Sequence, residues 1–239
     1  MCQAAEPDDT IAERLAAVRG RIADAARRSG QSESNVRLVA VTKTVAPGRV
    51  AEAVAAGITD LGENYVQEAR TKIPVVARLV GDGETGVPAW HLIGHLQSNK
   101  AKYSVTLFSL IQSVDNYQLA QELAKQAAKK GKTQAVLIEV NLAGVAERAG
   151  VLPGETLALA EQVARTPNLE LRGLMGMAPF GEDPEQARPY FARLRGLFDQ
   201  LPEVNRRTLS MGMSGDFEVA VEEGATLVRI GTALFGRRQ

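Results

Sequence analysis

The chain has 239 residues, 45% hydrophobic and 23% charged, which suits a soluble globular protein the size of one eight-unit α/β barrel or of two small domains. Lysine plus arginine equals aspartate plus glutamate at 28 each, so no global charge points to nucleic acid or an acidic membrane. Cys2 is the only cysteine, which excludes a disulfide framework and fits a cytoplasmic location; the acidic start MCQAAEPDDT is no signal peptide, and no apolar run reaches membrane-spanning length.

Residues 1–7 read as a mobile tail. An amphipathic helix follows over 8–29, with Asp8 or Asp9 as its cap, Ile11, Leu15, Val18 and Ile22 as its apolar stripe, and Gly30 as its stop. The stretch RLVAVTKTVAPGRV (37–50) predicts a strand that Lys43 closes. Val39, Val41 and Lys43 share one face; Leu38, Ala40 and Thr42 share the other. Pro47 then opens a helix over 47–56, stopped by Gly57. Ligands collect at the carboxyl ends of strands in α/β proteins, so Lys43 is either a ligand-facing amine or a lysine snorkelling to solvent.

The strand–helix rhythm continues. ITDLGENY predicts a short strand ending at Gly62-Glu63-Asn64, VQEARTKI a helix, and 80–88 a Gly/Pro-rich loop. AWHLIGHLQSNKAKY reads as strand and short helix; LFSLIQSVDN as a strand whose Asp115 or Asn116 caps the helix YQLAQELAKQAAKKG. AVLIEVNL, LELRGLMGMAP, TLSMGMSGD and ATLVRIGT are further strands, with helices at PGETLALAEQVART, PEQARPYFARLRGLFDQL and FEVAVEEG. Strands therefore fall near 38, 60, 91, 109, 137, 173, 210 and 228. Eight alternating units predict one closed (β/α)8 barrel over 1–239, a TIM barrel, parallel throughout and right-handed in its crossovers. Little follows the eighth strand, so the extra N-terminal helix is expected to cover that side.

In such a barrel the loops after strands seven and eight often hold phosphate. Here they read GMSGD (212–216) and RIGTALFG (229–236). Ser214 offers a hydroxyl beside glycines, and Gly231 and Thr232 offer successive N–H groups and a second hydroxyl. Arg229 shares parity with Leu227 and Gly231 and so points toward the barrel axis, where a buried guanidinium needs a partner. The alternative is that Gly212 and Gly215 only turn the chain while Arg229 pairs with a carboxylate such as Glu139. An amine at strand one facing an anion cradle at strands seven and eight suits a ligand with an aldehyde and a phosphate. Pyridoxal 5′-phosphate (PLP) has both; a phosphorylated sugar aldehyde has them too.

LVAVTKTV, GENYVQEA, WHLIGHLQSNK, RGLMGMAP and LSMGMSGDFEVAVEEGATLVRIGTALFG, spread over roughly 37–236, together resemble the YggS/PROSC family of PLP-binding homeostasis proteins. The resemblance implies a single PLP-binding barrel, similar to the N-terminal barrel domain of alanine racemases and to bacterial-type ornithine decarboxylase barrels. It implies that Lys43 is the Schiff-base lysine, that Ser214, Gly231 and Thr232 hold the phosphate, that Arg229 faces the pyridine nitrogen, and that Asn64 lies beside the cofactor. Two departures stand out. Arg148 replaces the lysine of many relatives, which puts a second lysine contact with PLP in doubt. Met177 stands where the racemase barrel has a histidine near the ring; methionine packs on a ring face but relays no protons.

An arginine facing the pyridine nitrogen keeps it unprotonated, which weakens the ring as an electron sink. Racemases supply a second base from another domain or subunit, and the sequence stops at Gln239, just past the barrel. The expectation is a PLP carrier or regulator, not an enzyme, that works as a monomer and serves PLP-dependent apo-enzymes. An amino-acid racemase or a class I Schiff-base aldolase is the alternative; the aldolase would need Glu63 or Glu139 as its acid/base group. His91 and His95 do not share a helix face, so His91 is expected to be a satisfied core histidine rather than a metal ligand. KQAAKKGK (125–132) reads as a helix-end basic patch, and neither GxGxxG nor a phosphate-loop lysine motif occurs.

Overall fold

The computed structural model describes residues 9–81, 86–145 and 147–236. The expected tail at 1–7 and part of the 80–88 loop lie outside them. Eight strands close a parallel barrel in sequence order: β1 (Arg37–Val41), β2 (Asp60–Glu63), β3 (Ala89–Leu92), β4 (Leu110–Val114), β5 (Gln134–Val140), β6 (Leu169–Gly176), β7 (Thr208–Ser210) and β8 (Leu227–Ile230). Each predicted strand is present. β8 returns to β1 with Val39 opposite Arg229 and Ala40 opposite Ile230, which closes the cylinder without a free edge.

The helices form the outer ring: α1 (Ile11–Ser29), α2 (Pro47–Ala55), α3 (Val66–Val80), α4 (Ala101–Leu107), α5 (Tyr117–Lys129), α6 (Thr156–Ala164), α7 (Arg188–Phe198), α8 (Phe217–Glu222) and α9 (Thr232–Phe235). Their apolar faces meet the outward strand residues Ala40, Leu61, Ile111, Val136, Leu174 and Ile230 in one continuous core. Leu110, Ala135, Leu137 and Met175 form a second, smaller cluster inside the barrel. α1 lies against α8 and α9 and buries Leu15 and Val18, so it covers the side left open after β8, as expected.

Four local expectations are corrected. Thr10, not Asp8 or Asp9, caps α1: its hydroxyl accepts from Glu13 N while the Glu13 carboxylate accepts from Thr10 N, a reciprocal capping box. α3 runs on to Val80 through Pro74, because the ring costs only one hydrogen bond while Val76 is fully buried. The helix expected from Pro184 starts as a 3-10 turn over Pro184–Ala187 and becomes α-helical only at Arg188, with prolines at the start of both segments. β1 ends at Val41, so Lys43 sits past the strand, in a turn where Thr44 has φ 61°.

Candidate functional site

Because all strands are parallel, their carboxyl ends open on one mouth, and every candidate residue is found there. Lys43 follows β1, Asn64 follows β2, Met177 follows β6, Ser214 follows β7, Arg229 is in β8, and Gly231 and Thr232 follow it. The β1–β8 register carries the end of β1 alongside Gly231. A Cβ on Gly231 would lie 3.5 Å from the Val41 Cβ, two residues before Lys43. The Ser214 hydroxyl accepts from Gly231 N and Ala233 N, each at 3.3 Å, so the loops after β7 and β8 converge on one oxygen. These long bonds hold N–H groups that a phosphate oxygen would accept from more strongly. Gly212, at φ 89°, lets the start of this loop pack against α8, since a Cβ there would meet the Ala220 Cβ at 2.5 Å.

Arg229 is buried and points inward, as its parity predicts. Its Nη1 donates to Ser210 Oγ at 2.5 Å and its Nη2 to the Gly176 carbonyl at 3.0 Å, next to Met177. Burial lowers its pKa to about 10, opposed by Asp216 and Glu139, so the guanidinium stays charged at neutral pH. The expected alternative of an Arg229–Glu139 pair does not form. Glu139 lies 4% exposed on the inward face, and its Oε2 has no partner. Burial, with Asp115 nearby, raises the Glu139 carboxyl to about 7 against the opposing charge of Arg229.

Below Arg229 a chain of donors runs down the barrel interior, which sequence reasoning missed apart from His91. Ser210 Oγ donates to Gln112 Oε1 at 2.6 Å, Gln112 Nε2 donates to His91 Nδ1 at 3.1 Å, and His91 Nε2 reaches Asp60 Oδ1 at 3.2 Å. Burial raises the Asp60 pKa, but the hydrogen bonds from His91 and Thr59 and the charge of Arg37 outweigh it and leave it lowered. Both His91 nitrogens are engaged, so this is the satisfied core histidine expected; His95 stands apart, 3.6 Å from Asp115. The legible signal was Gln112, Ser210 and Asp60 at inward parity.

Asn64 is placed by a glycine that the sequence reading passed over. A Cβ on Gly94, just past β3, would lie 2.5 Å from the Asn64 carbonyl oxygen, so only glycine lets that backbone in. The Asn64 Oδ1 is buried without a partner. Met177 is 38% exposed, its side available at the mouth. Arg148 is exposed on the loop after β5, which Asn141 ties by donating to the Val145 and Arg148 carbonyls. Glu63 is fully buried and faces outward, bound to Lys72 at 2.8 Å and to the Thr42 hydroxyl at 2.6 Å. A cavity of about 400 Å³ lined by Arg19, Arg37 and Asp60 opens at the opposite end of the strands, away from all these groups.

The mouth thus offers two orphaned buried oxygens, on Asn64 and Glu139, a convergent set of backbone N–H groups, and a buried cation. The N–H groups and the cation suit an anionic group such as a phosphate, and the two oxygens can accept hydrogen bonds from a ligand's donors. The family model for the alanine racemase N-terminal domain matches residues 14–239. A pyridoxal phosphate homeostasis protein of Aquifex aeolicus is 45% identical over 230 residues, covering 95% of this chain and 98% of that one. PipY of Synechococcus elongatus, solved with PLP bound, is 37% identical with a TM-score of 0.80, covering 95% of this chain and all of that one. An alanine racemase of Clostridium difficile shares the fold at 15% identity and a TM-score of 0.71, with 97% of this chain matched to 57% of that one.

Proposed function

As a member of the pyridoxal phosphate homeostasis protein family, built on the alanine racemase N-terminal domain, the chain carries that family's barrel, and we propose that it holds PLP at its mouth to regulate the free vitamin B6 cofactor. The cofactor would bring an aldehyde and a phosphate. In this reading Ser214 and the N–H groups of Gly231 and Thr232 hold the phosphate, Asn64 lies beside the ring, and Met177 packs on its face. Arg229 faces the pyridine nitrogen. The amine of Lys43 would anchor the cofactor, whose aldehyde would supply the Schiff-base chemistry there.

The observation that carries the reading is the pairing of β1 with β8, Ala40 opposite Ile230, which brings the segment that leads to the amine alongside Gly231, whose N–H the Ser214 hydroxyl accepts. Arg229 supports retention over turnover. A guanidinium held by Ser210 and Gly176 cannot accept or give a proton at neutral pH, so the ring nitrogen it faces stays unprotonated and the ring is a poor electron sink. The Schiff-base aldolase alternative loses Glu63 as its acid, because that carboxylate is committed to Lys72 on the outer face. The same reading has the protein acting in the cytoplasm as a monomer and passing cofactor to PLP-dependent apo-enzymes. Borohydride reduction of the protein loaded with PLP, followed by peptide mass mapping, is expected to give a pyridoxyl adduct on Lys43. An adduct on another lysine, or none, overturns the assignment.

A further inference from the structure

Lys72 is a buried lysine that the proposed site does not use. It lies on α3, outside the barrel, 5% exposed, with its Nζ 2.8 Å from Glu63 Oε1 and 2.6 Å from Glu68 Oε1. A buried ammonium between two carboxylates is expensive to desolvate, so a position that keeps one invites a reason beyond stability. The remaining bonds of this triad supply it. Lys72 Nζ donates to the Thr42 carbonyl at 2.5 Å, and Glu68 Oε1 accepts from Thr44 N at 2.6 Å.

Those two backbone groups belong to the peptide planes on either side of Lys43. The Thr42 carbonyl is in the plane before its Cα, and the Thr44 N–H is in the plane after it. Pinning both planes fixes φ and ψ of Lys43, and with them the direction of its Cα–Cβ bond. The turn needs such a clamp. Thr44 is β-branched yet held at φ 61°, a conformation that is unfavourable unless its surroundings impose it. Thr42 is held on its other side as well, its N–H donating to the Gly62 carbonyl and its hydroxyl to Glu63.

We propose that Lys72, with Glu63 and Glu68, is the positioning group for Lys43, an ion triad outside the barrel that aims the amine at the mouth inside it. The proposal rests on Lys43 being the PLP anchor. It assigns the triad no contact with cofactor, so its loss should spare binding that needs no amine. Pyridoxine 5′-phosphate has the ring and phosphate of PLP but no aldehyde, and therefore reports the cradle alone.

Two variants test this: Glu68→Ala, and the paired change Lys72→Met with Glu63→Gln, which leaves no unpartnered buried charge. Expected for both is PLP affinity weaker by about tenfold or more and a lower yield of borohydride-trapped adduct on Lys43, with pyridoxine 5′-phosphate affinity within about twofold of the parent. Equal loss for both ligands would mean a general loosening of the mouth, and no loss for either would mean an idle triad; each overturns the proposal. If the paired variant fails to fold, Glu68→Ala decides alone, since Glu68 is partly exposed. A parent protein lacking the Lys43 adduct instead sinks the anchor assignment, a result distinct from either.

Discussion

Glu139 shows how much of this site depends on one protonation state. Its carboxyl is buried at the mouth, repelled by Asp115 and attracted by Arg229, and burial wins, taking it from the usual carboxylate value to about 7. In the unfolded chain the group ionises near 4.5. Between those two values the folded protein binds the extra proton, so stability is fully present below the lower one and declines as pH rises through the upper one. The shift corresponds to roughly 3 kcal/mol at most. Urea unfolding at pH 5 and pH 8 should show the parent losing stability with rising pH and Glu139→Gln losing much less. An unchanged slope in the variant would assign the effect to Glu63 and Asp216, whose carboxyls burial also raises.

Single elements are placed by positions that carry no functional group. Gly94 is the clearest, for its missing side chain is where the Asn64 backbone lies. Gly94→Ala should push the end of β2 outward, cost roughly 2–3 kcal/mol, and weaken PLP binding while leaving the helical circular dichroism intact. Full retention of affinity would remove Asn64 from the site. The N-terminal helix α1 is fixed by apolar packing and by charges that a sequence does not pair: Arg21 reaches Glu218, and Arg28 shares Glu222 with Arg188. Sequence reading placed the helix and its stripe correctly but gave it the wrong cap, because Asp8, Asp9 and Thr10 are all capping residues and only Thr10 stands three before a glutamate.

Across the whole molecule, one row of hydrogen bonds joins the mouth to the far end of the barrel, from Arg229 through Ser210, Gln112 and His91 to Asp60. Every member is buried, so each link is costly to break. Gln112→Leu strands the Ser210 O–H donor and His91 Nδ1 together; the expected loss is about 2 kcal/mol or more in urea unfolding. PLP binding should weaken as well, because Arg229 loses the orientation of one of its two partners. A variant as stable as the parent would show that water replaces the amide. Among the described residues no helix is long and apolar enough to cross a membrane.

Alternation of strand and helix, the parity of Arg229, and the glycine and serine loops after β7 and β8 were all readable from the chain, because periodicity and turn chemistry act over a few neighbouring residues. The turn that removes Lys43 from its strand was not. It is imposed by Lys72 and Glu68, more than twenty residues away in sequence, acting on backbone groups whose partners no local pattern reveals. Likewise, Glu139 could be seen as buried and inward, yet its failure to pair with Arg229 was decided by Ser210 and the Gly176 carbonyl reaching the guanidinium. Local propensity determined which elements form. Closure of the barrel decided which of the inward polar groups found partners.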